Sequence, residues 1–323
     1  IRTDVRKGGY EVMPPNITSA PNVGSLLINK FGTYGAGNGQ FDRPLSIALN
    51  STNDIFIVDS NNSRVQKFSN GGEYQSQFGS SISGTGFDNP SLMAEDSQHN
   101  VYVVDTGNNR VQKFSSNGQY ISQFGSSGST NGKFSQPSGI AIDTSDNVYV
   151  VDTGNNRVQK FSSNGQYISQ FGSSGSTNGK FFFPVGIGID NAGVIYVADF
   201  GNNRVQKFNS SGVYQGTFGT SGTVNSPIYG PYGISKDTNG FMYVLNVGSR
   251  KLVKFDSAGT ALKQISIGNY GGIDYPSSAA IAADGTMYVV AGEYVQRLTS
   301  NGVLAGQFRI SPDKTQSAGA GML

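Results

Sequence analysis

The stretch NVYVVDTGNNRVQKFSSNGQYISQFGSSGSTNGKF, Asn100 to Phe134, recurs without a single change at Asn147 to Phe181, forty-seven residues further on. Looser copies lie on both sides, so the chain reads as tandem repetition of one unit. Self-similarity at this period marks a propeller or a solenoid.

Six prolines set the phase: Pro44, Pro90, Pro137, Pro184, Pro231 and Pro276, spaced 46, 47, 47, 47 and 45. After each comes a short run of small and β-branched residues such as Ser138-Gly-Ile-Ala-Ile, suited to an innermost strand crowded at an axis. Proline is tolerated at the first residue of a strand. A second run, Val148-Tyr-Val-Val in the third unit, is apolar throughout, which means burial on both faces. The third is Arg157-Val-Gln-Lys-Phe, closed by an Asn-Gly pair (Asn117-Gly118, Asn164-Gly165, Asn301-Gly302) that predicts a two-residue hairpin with φ > 0. The fourth, Tyr167-Ile-Ser-Gln-Phe171, alternates, so Tyr and Phe share one face of a half-buried outer strand.

Four strands in each of six units predict an all-β, six-bladed β-propeller with four antiparallel strands per blade. Leu26 to Phe31 resembles a seventh outer strand, so either it or the terminal Val303 to Phe308 completes the ring. Residues 1–22 read as an N-terminal extended arm, 23–310 as the propeller and 311–323 as a polar, glycine-rich tail.

Composition narrows the function classes. The 323 residues carry 14% charged side chains and a net charge of +2, too balanced to predict a nucleic-acid groove. There is no cysteine, hence no thiolate metal site or Cys nucleophile, and no apolar run of spanning length. The chain begins at Ile1 rather than Met, which is compatible with export.

The sequence Pro-x-Gly-Ile-x-Ile-Asp, Asn-Val-Tyr-Val-Val-Asp, Asn-Arg-Val-Gln-Lys-Phe and a Phe-Gly ending, repeated between about Gly24 and Ile310, resembles the NHL repeat. The resemblance implies a six-bladed propeller but no single activity, because such propellers serve as lyase scaffolds, RNA binders, sensor ectodomains and interaction platforms. The amidating lyases of that family hold a metal with several histidines; this chain has only His99, in a turn, so no catalytic or metal residue is assigned and no cofactor is expected.

The most regular charged feature is an Asp ending the second strand and an Arg opening the third: Asp59 and Arg64, Asp105 and Arg110, Asp152 and Arg157, Asp199 and Arg204. The fifth unit has Asn246 with Arg250 or Lys251, and the sixth loses both partners together, to Ala291 and Tyr294. Joint loss points to pairs bonded across their own turn rather than to a cation-binding ring. Lys67, Lys113, Lys160, Lys207 and Lys254, once per unit, read as a solvated edge that blocks sheet-to-sheet pairing.

Two units with identical loops are poor material for a single asymmetric site. A ligand site is therefore expected to draw on the divergent units, through Phe87, Tyr229, Tyr232, Arg250, Lys251, Tyr270 and Tyr275. Asn16, Asn50, Asn61 and Asn209 stand in Asn-x-Ser/Thr triplets and are candidate glycosylation positions. These readings converge on a non-catalytic, secreted or cell-surface propeller that mediates protein, glycan or self-association, the last through Ile1–Pro21, without nucleic acid and without a membrane span. A lyase or lactonase, or an RNA or polyanion reader, ranks behind it.

Overall fold

The computed structural model describes residues 33–50, 52–79, 86–219, 228–267, 276–291 and 294–309. They form six four-stranded antiparallel sheets arranged as the blades of a propeller. Blade 1 comprises Pro44–Leu49, Ile55–Asp59, Arg64–Phe68 and Tyr74–Phe78; blade 2, Pro90–Glu95, Val101–Asp105, Arg110–Phe114 and Tyr120–Phe124. Blade 3 is Pro137–Ile142, Val148–Asp152, Arg157–Phe161 and Tyr167–Phe171; blade 4, Pro184–Ile189, Ile195–Asp199, Arg204–Phe208 and Tyr214–Phe218. Blade 5 is Pro231–Lys236, Met242–Asn246, Lys251–Phe255 and Ala261–Ser266; blade 6, Pro276–Ile281, Met287–Ala291, Tyr294–Leu298 and Leu304–Arg309. The only helical elements among the described residues are two short 3-10 turns, Thr153–Asn155 and Phe200–Asn202.

The strand order follows the chain within every blade, and the inner strand of blade 6 lies beside that of blade 1. The outer strand of blade 6 is thus the C-terminal Leu304–Arg309, while Leu26 to Phe31, the arm and the tail lie outside the described residues.

Why the second strands are wholly apolar is visible in the core. One hydrophobic cluster fills each of the six blade interfaces; Tyr149, Val151 and Val158 of blade 3 meet Ile187, Ile195, Val197 and Phe208 of blade 4. The outer strands of blades 1 to 4 each add an aromatic staple to the next blade, among them Phe124 on Phe161 at 4.7 Å and Phe171 on Phe208 at 4.6 Å between centroids. Near the axis the inner strands come so close that side chains must vanish. A Cβ on Gly186 would stand 1.9 Å from the Tyr232 carbonyl oxygen, and one on Gly139 2.4 Å from that of Val185. Ser91 and Ser138 hydroxyls then donate to the Ser138 and Val185 carbonyls of the next blade, at 2.9 Å each.

Two local expectations are corrected. The Asn-Gly turns are not two-residue hairpins. Ser115 and Gln119 close the loop, only Gly118 takes positive φ (82°), and the register slips after Tyr120. A type I turn followed by a left-handed Gly builds this three-residue loop with its bulge, needing φ > 0 at one position instead of two. The recurring lysines do not guard an edge either, because the third strand carrying them lies inside the blade, between the second and the fourth.

Candidate functional site

The end of the ring that carries the loop into each blade and the turn between its second and third strands is organised by the Asp–Arg pairs. In blade 3 the Arg157 Nε donates to Asp152 Oδ2 at 2.7 Å, across the register pair that joins the two strands. The other Asp152 oxygen accepts the Ser135 amide at 2.8 Å, and Asn155 Nδ2 donates to both. The guanidinium reaches on to the carbonyls of Thr130 and Lys133, and Gln159 joins Asp152 to the same Lys133 carbonyl. The four side chains thereby clamp the glycine-rich entry loop onto its blade. The constellation repeats in blade 4 around Asp199 and Arg204, and in blade 1 around Asp59 and Arg64. In blade 2 Arg110 binds Asp105 at 2.7 Å.

All four Asp carboxylates are fully buried, so the pairs are structural and not available to a ligand. Burial pushes the Asp59 carboxyl up, and the Asp42 amide, Arg64 and Asn62 pull it back. In blade 5 Asn246 still accepts the Tyr229 amide at 3.1 Å, and the register settles the arginine slot: Lys251 faces Asn246, and Arg250 takes the left-handed turn position.

That turn position carries a second link. Asn109, Asn156 and Asn203, each left-handed with φ of 52°, 53° and 51°, accept the backbone amides of Gln136, Phe183 and Gly230 in the next blade. The residues so held precede the inner-strand prolines, and Arg43, Asn89, Gln136 and Phe183 are all left-handed there (φ 51°, 45°, 48° and 52°). Such a conformation is costly for a bulky residue. Its recurrence in four blades shows that the fold imposes it, and it points these side chains out of the end face.

What stands at these positions differs sharply between blades. Asp42-Arg43 and Asp88-Asn89 precede the prolines of blades 1 and 2, and Ser135-Gln136 that of blade 3. In blade 4 the pair is Phe182-Phe183, 57% and 49% exposed, and in blade 5 Tyr229 is 61% exposed. Phe200, where blade 3 has Thr153, lies 6.3 Å from Phe183 and 6.3 Å from Tyr232 between ring centroids, edge to face in both cases. Phe182 lies over Gly201 and Tyr229 over Gly248, where a Cβ would stand 2.3 Å and 2.2 Å from the rings. Five aromatic residues therefore share one sector of the end face, running from the rim of blade 4 to the inner strand of blade 5. Burial pushes the Tyr232 hydroxyl up, and the Arg43 charge pulls it part of the way back.

Of the residues expected to face a ligand, Tyr229 and Tyr232 are brought together here. Phe87 is not a ligand residue: it is 6% exposed and packs on Phe114, filling the place that Phe134 and Phe181 fill in later blades. Arg250 and Lys251 lie on the same end of blade 5, with Lys251 donating to Gln264 at 2.8 Å. Tyr270, Tyr275 and Asn16 lie outside the described residues. Phe182, Phe183 and Phe200 were missed because unit 4 copies its neighbours so closely. The signal was present as Phe-Phe-Phe-Pro against Phe-Ser-Gln-Pro.

At the other end Asp96, Asp143 and Asp237, in the turns between first and second strands, each gather a Tyr and a Lys, while Asp190 gathers Tyr196 alone. Lys113 Nζ sits 3.1 Å from Asp96 and 4.7 Å from the Tyr102 ring centroid, and Lys254 3.0 Å from Asp237. Tyr102 donates to the Ser163 carbonyl of the next blade. These lysines are partnered and form no free basic stripe. His99 is exposed in that turn, left-handed at φ 64° and 2.9 Å from Glu95. No set of three or more His, Cys, Asp or Glu placed to hold a metal occurs among the described residues. Asn50 and Asn61 spend their side-chain amides on Asp54 and Asp42, and Asn209 caps its own turn through its oxygen.

The NHL repeat profile matches residues 41–68, 134–161 and 181–208. Each match runs from the buried Phe before the blade to the end of its third strand, and so covers the four side chains of one clamp. The chain is 46% identical over 50 residues to Protein brain tumor of Drosophila melanogaster and 33% identical over 66 residues to the B-box type zinc finger protein ncl-1 of Caenorhabditis elegans. These stretches cover 16% and 20% of this chain but only 5% and 8% of those proteins. Among solved structures, a streptogramin B lyase superposes with a TM-score of 0.63 at 12% identity, covering 83% of each chain. Virginiamycin B lyase from Staphylococcus aureus gives 0.61 at 14% identity and 87% of each chain. At such identities the likeness is one of fold. Repeat, clamp and ring together make this chain an NHL-repeat β-propeller.

Proposed function

We propose that the chain is a non-catalytic recognition propeller that binds a protein or glycan partner through the aromatic sector of blades 4 and 5. The observation that carries this reading is the set of three exposed rings, Phe182, Phe183 and Tyr229, at places where blade 3 presents Ser135 and Gln136. Large exposed apolar side chains grouped on one patch mark interaction sites, and aromatic residues are enriched at interface centres. A polyanion is less well served, since the face carries Asp42 and Asp88 beside Arg43. Low charge content supports a place outside the cell or on its surface.

The test is a glycan array and a peptide-display selection run in parallel on the wild type and on the triple variant F182S/F183Q/F200T, which installs the residues of blade 3. Binders lost by the variant support the reading. Binders retained in full place the site elsewhere.

A further inference from the structure

Phe182 and Tyr229 stand 47 residues apart, one repeat, and so take the same place in successive blades. Each rests on a turn glycine, Gly201 and Gly248, whose amide donates to the carbonyl of the ring-bearing residue at 2.8 Å and 2.9 Å. No side chain fits between ring and turn, and both rings keep more than half of their surface in solvent. Beside each stands one carboxamide. Asn156 Oδ1 accepts the Phe183 amide and Asn203 Oδ1 the Gly230 amide, at 2.8 Å each. That acceptor role fixes the other end of the group. Neither Nδ2 has an acceptor among the described residues and neither is buried, so N–H donors face solvent next to both rings. At the ring-free boundary before them, Asn109 makes the same link to Gln136 but turns its Nδ2 toward the Gly107 carbonyl at 3.4 Å.

An aromatic face is electron-rich and attracts C–H groups, and a carboxamide N–H seeks an oxygen. A pyranose offers both on one small body, an apolar face of C–H groups rimmed by hydroxyl oxygens. The end face presents its pair of groups twice, at the period of the repeat, and an oligosaccharide presents its own pair at every residue. A peptide does so only where its side chains happen to repeat. The charges in the two turns are already engaged: Arg157 and Arg204 are bound at 2.7 Å to the buried Asp152 and Asp199. Ionised groups that neutralise one another complement a neutral ligand. Bases also stack on exposed rings, but a single-stranded nucleic acid needs free cations along its backbone. One blade further on Arg250 takes the corresponding turn position, so the run of carboxamides ends with Asn203.

We infer that Phe182 and Phe183 with Asn156, and Tyr229 with Asn203, form two successive subsites for a neutral oligosaccharide, sugar faces on the rings and hydroxyls on the Nδ2 groups. The inference rests on the recognition role proposed for this face and deepens it by naming the ligand class.

The experiment titrates the whole chain, by isothermal calorimetry, with maltohexaose, cellohexaose, mannohexaose, xylohexaose and chitohexaose, and with hexagalacturonic acid as the charged comparator. At least one neutral hexaose is expected to bind, and its monosaccharide, which reaches one subsite, at least about tenfold more weakly. Tyr229→Ser and F182S/F183Q/F200T each weaken the hexaose. Asn156→Gly and Asn203→Gly suit the left-handed backbone and each weaken it about fivefold, the scale of one neutral hydrogen bond. Asn109→Gly removes the same link where no ring stands and leaves the affinity unchanged. Binding of no neutral hexaose, or tighter binding of hexagalacturonic acid than of every neutral one, overturns the inference. So does an affinity that survives Asn156→Gly and Asn203→Gly, an equal loss with Asn109→Gly, or tighter binding of a single-stranded oligonucleotide than of any hexaose. If the hexaoses fail while protein binders still depend on the three phenylalanines, the inference falls and the recognition role stands. If no binder depends on them, both fall.

Discussion

Blades 3 and 4 are nearly the same object. Their entry loops, Gly125–Lys133 and Gly172–Lys180, have one sequence, one parallel bridge each (Ser127 with Phe134, Ser174 with Phe181) and one set of clamp bonds. On the end face they part where Ser135, Gln136, Ser138 and Thr153 become Phe182, Phe183, Val185 and Phe200. The difference teaches where information sits in this molecule. The buried Asp, Arg, Asn and Gln define the frame and are copied faithfully. The residues between buried Phe and proline are held by their backbone alone, so their side chains are free to vary.

If the two frames are equivalent, Asp152→Ala and Asp199→Ala should cost the same. Each leaves a buried guanidinium and a loop amide without an acceptor, and breaking such a pair by removing one partner costs about 3–5 kcal/mol. Urea denaturation of the two variants checks this, and a gap well beyond experimental error would break the equivalence. The three-residue swap F182S/F183Q/F200T should act in the opposite way. Two of its rings are about half exposed and its replacements are native to the sister blade, so the stability change should stay within about 1 kcal/mol. A larger loss would show that the aromatic row props up the boundary of blades 4 and 5 and is not simply displayed there.

The smallest expected effect lies at the other end of blade 3. Burial raises the Asp143 carboxyl, but donors from Asn147, Ser145 and the Lys160 charge outweigh it, and the net shift is downward. A carboxylate held below its unfolded value of about 3.9 stabilises the fold above that pH, and the contribution is lost as pH falls through the folded pKa. Asp143→Asn should therefore destabilise by about 0.5 kcal/mol at pH 7. Thermal melts followed from pH 6 downward should bring the two proteins together below about pH 4. A gap that persists at low pH would mean that the turn depends on the shape of Asp143 and not on its charge.

Blade number, strand boundaries and the Asp–Arg pairs were legible because each is written several times over. Pro137 and Pro184 announce the inner strands, and the paired loss in unit 6 announces the bond. The purpose of the pairs was not, since nothing local says that Arg157 reaches the carbonyls of Thr130 and Lys133. Nor was the role of Lys113, whose partners come from a turn and a ring that only the register brings together. The candidate site was half legible: Tyr229 and Tyr232 stand out from the repeat, whereas Phe87 looks divergent by composition yet occupies the same buried seat as Phe134.

Every blade is cut from one unbroken stretch of chain, so among the described residues blades 6 and 1 meet face to face. Ile47, Ile57 and Phe68 lie against Ala280, Tyr288 and Val290, with one amide, that of Ile47, reaching the Ser278 hydroxyl at 3.4 Å. At the other five boundaries the backbone itself crosses. The ring is thus a clasped bracelet whose links are interchangeable. A whole link added or removed requires no rethreading and leaves every junction of the same kind, limited only by the curvature that closes the circle. The verbatim copy of Asn100–Phe134 at Asn147–Phe181 is what such a change leaves behind. It runs from the second strand of one link to the threshold of the next, the span over which a slip by one period meets an identical neighbour.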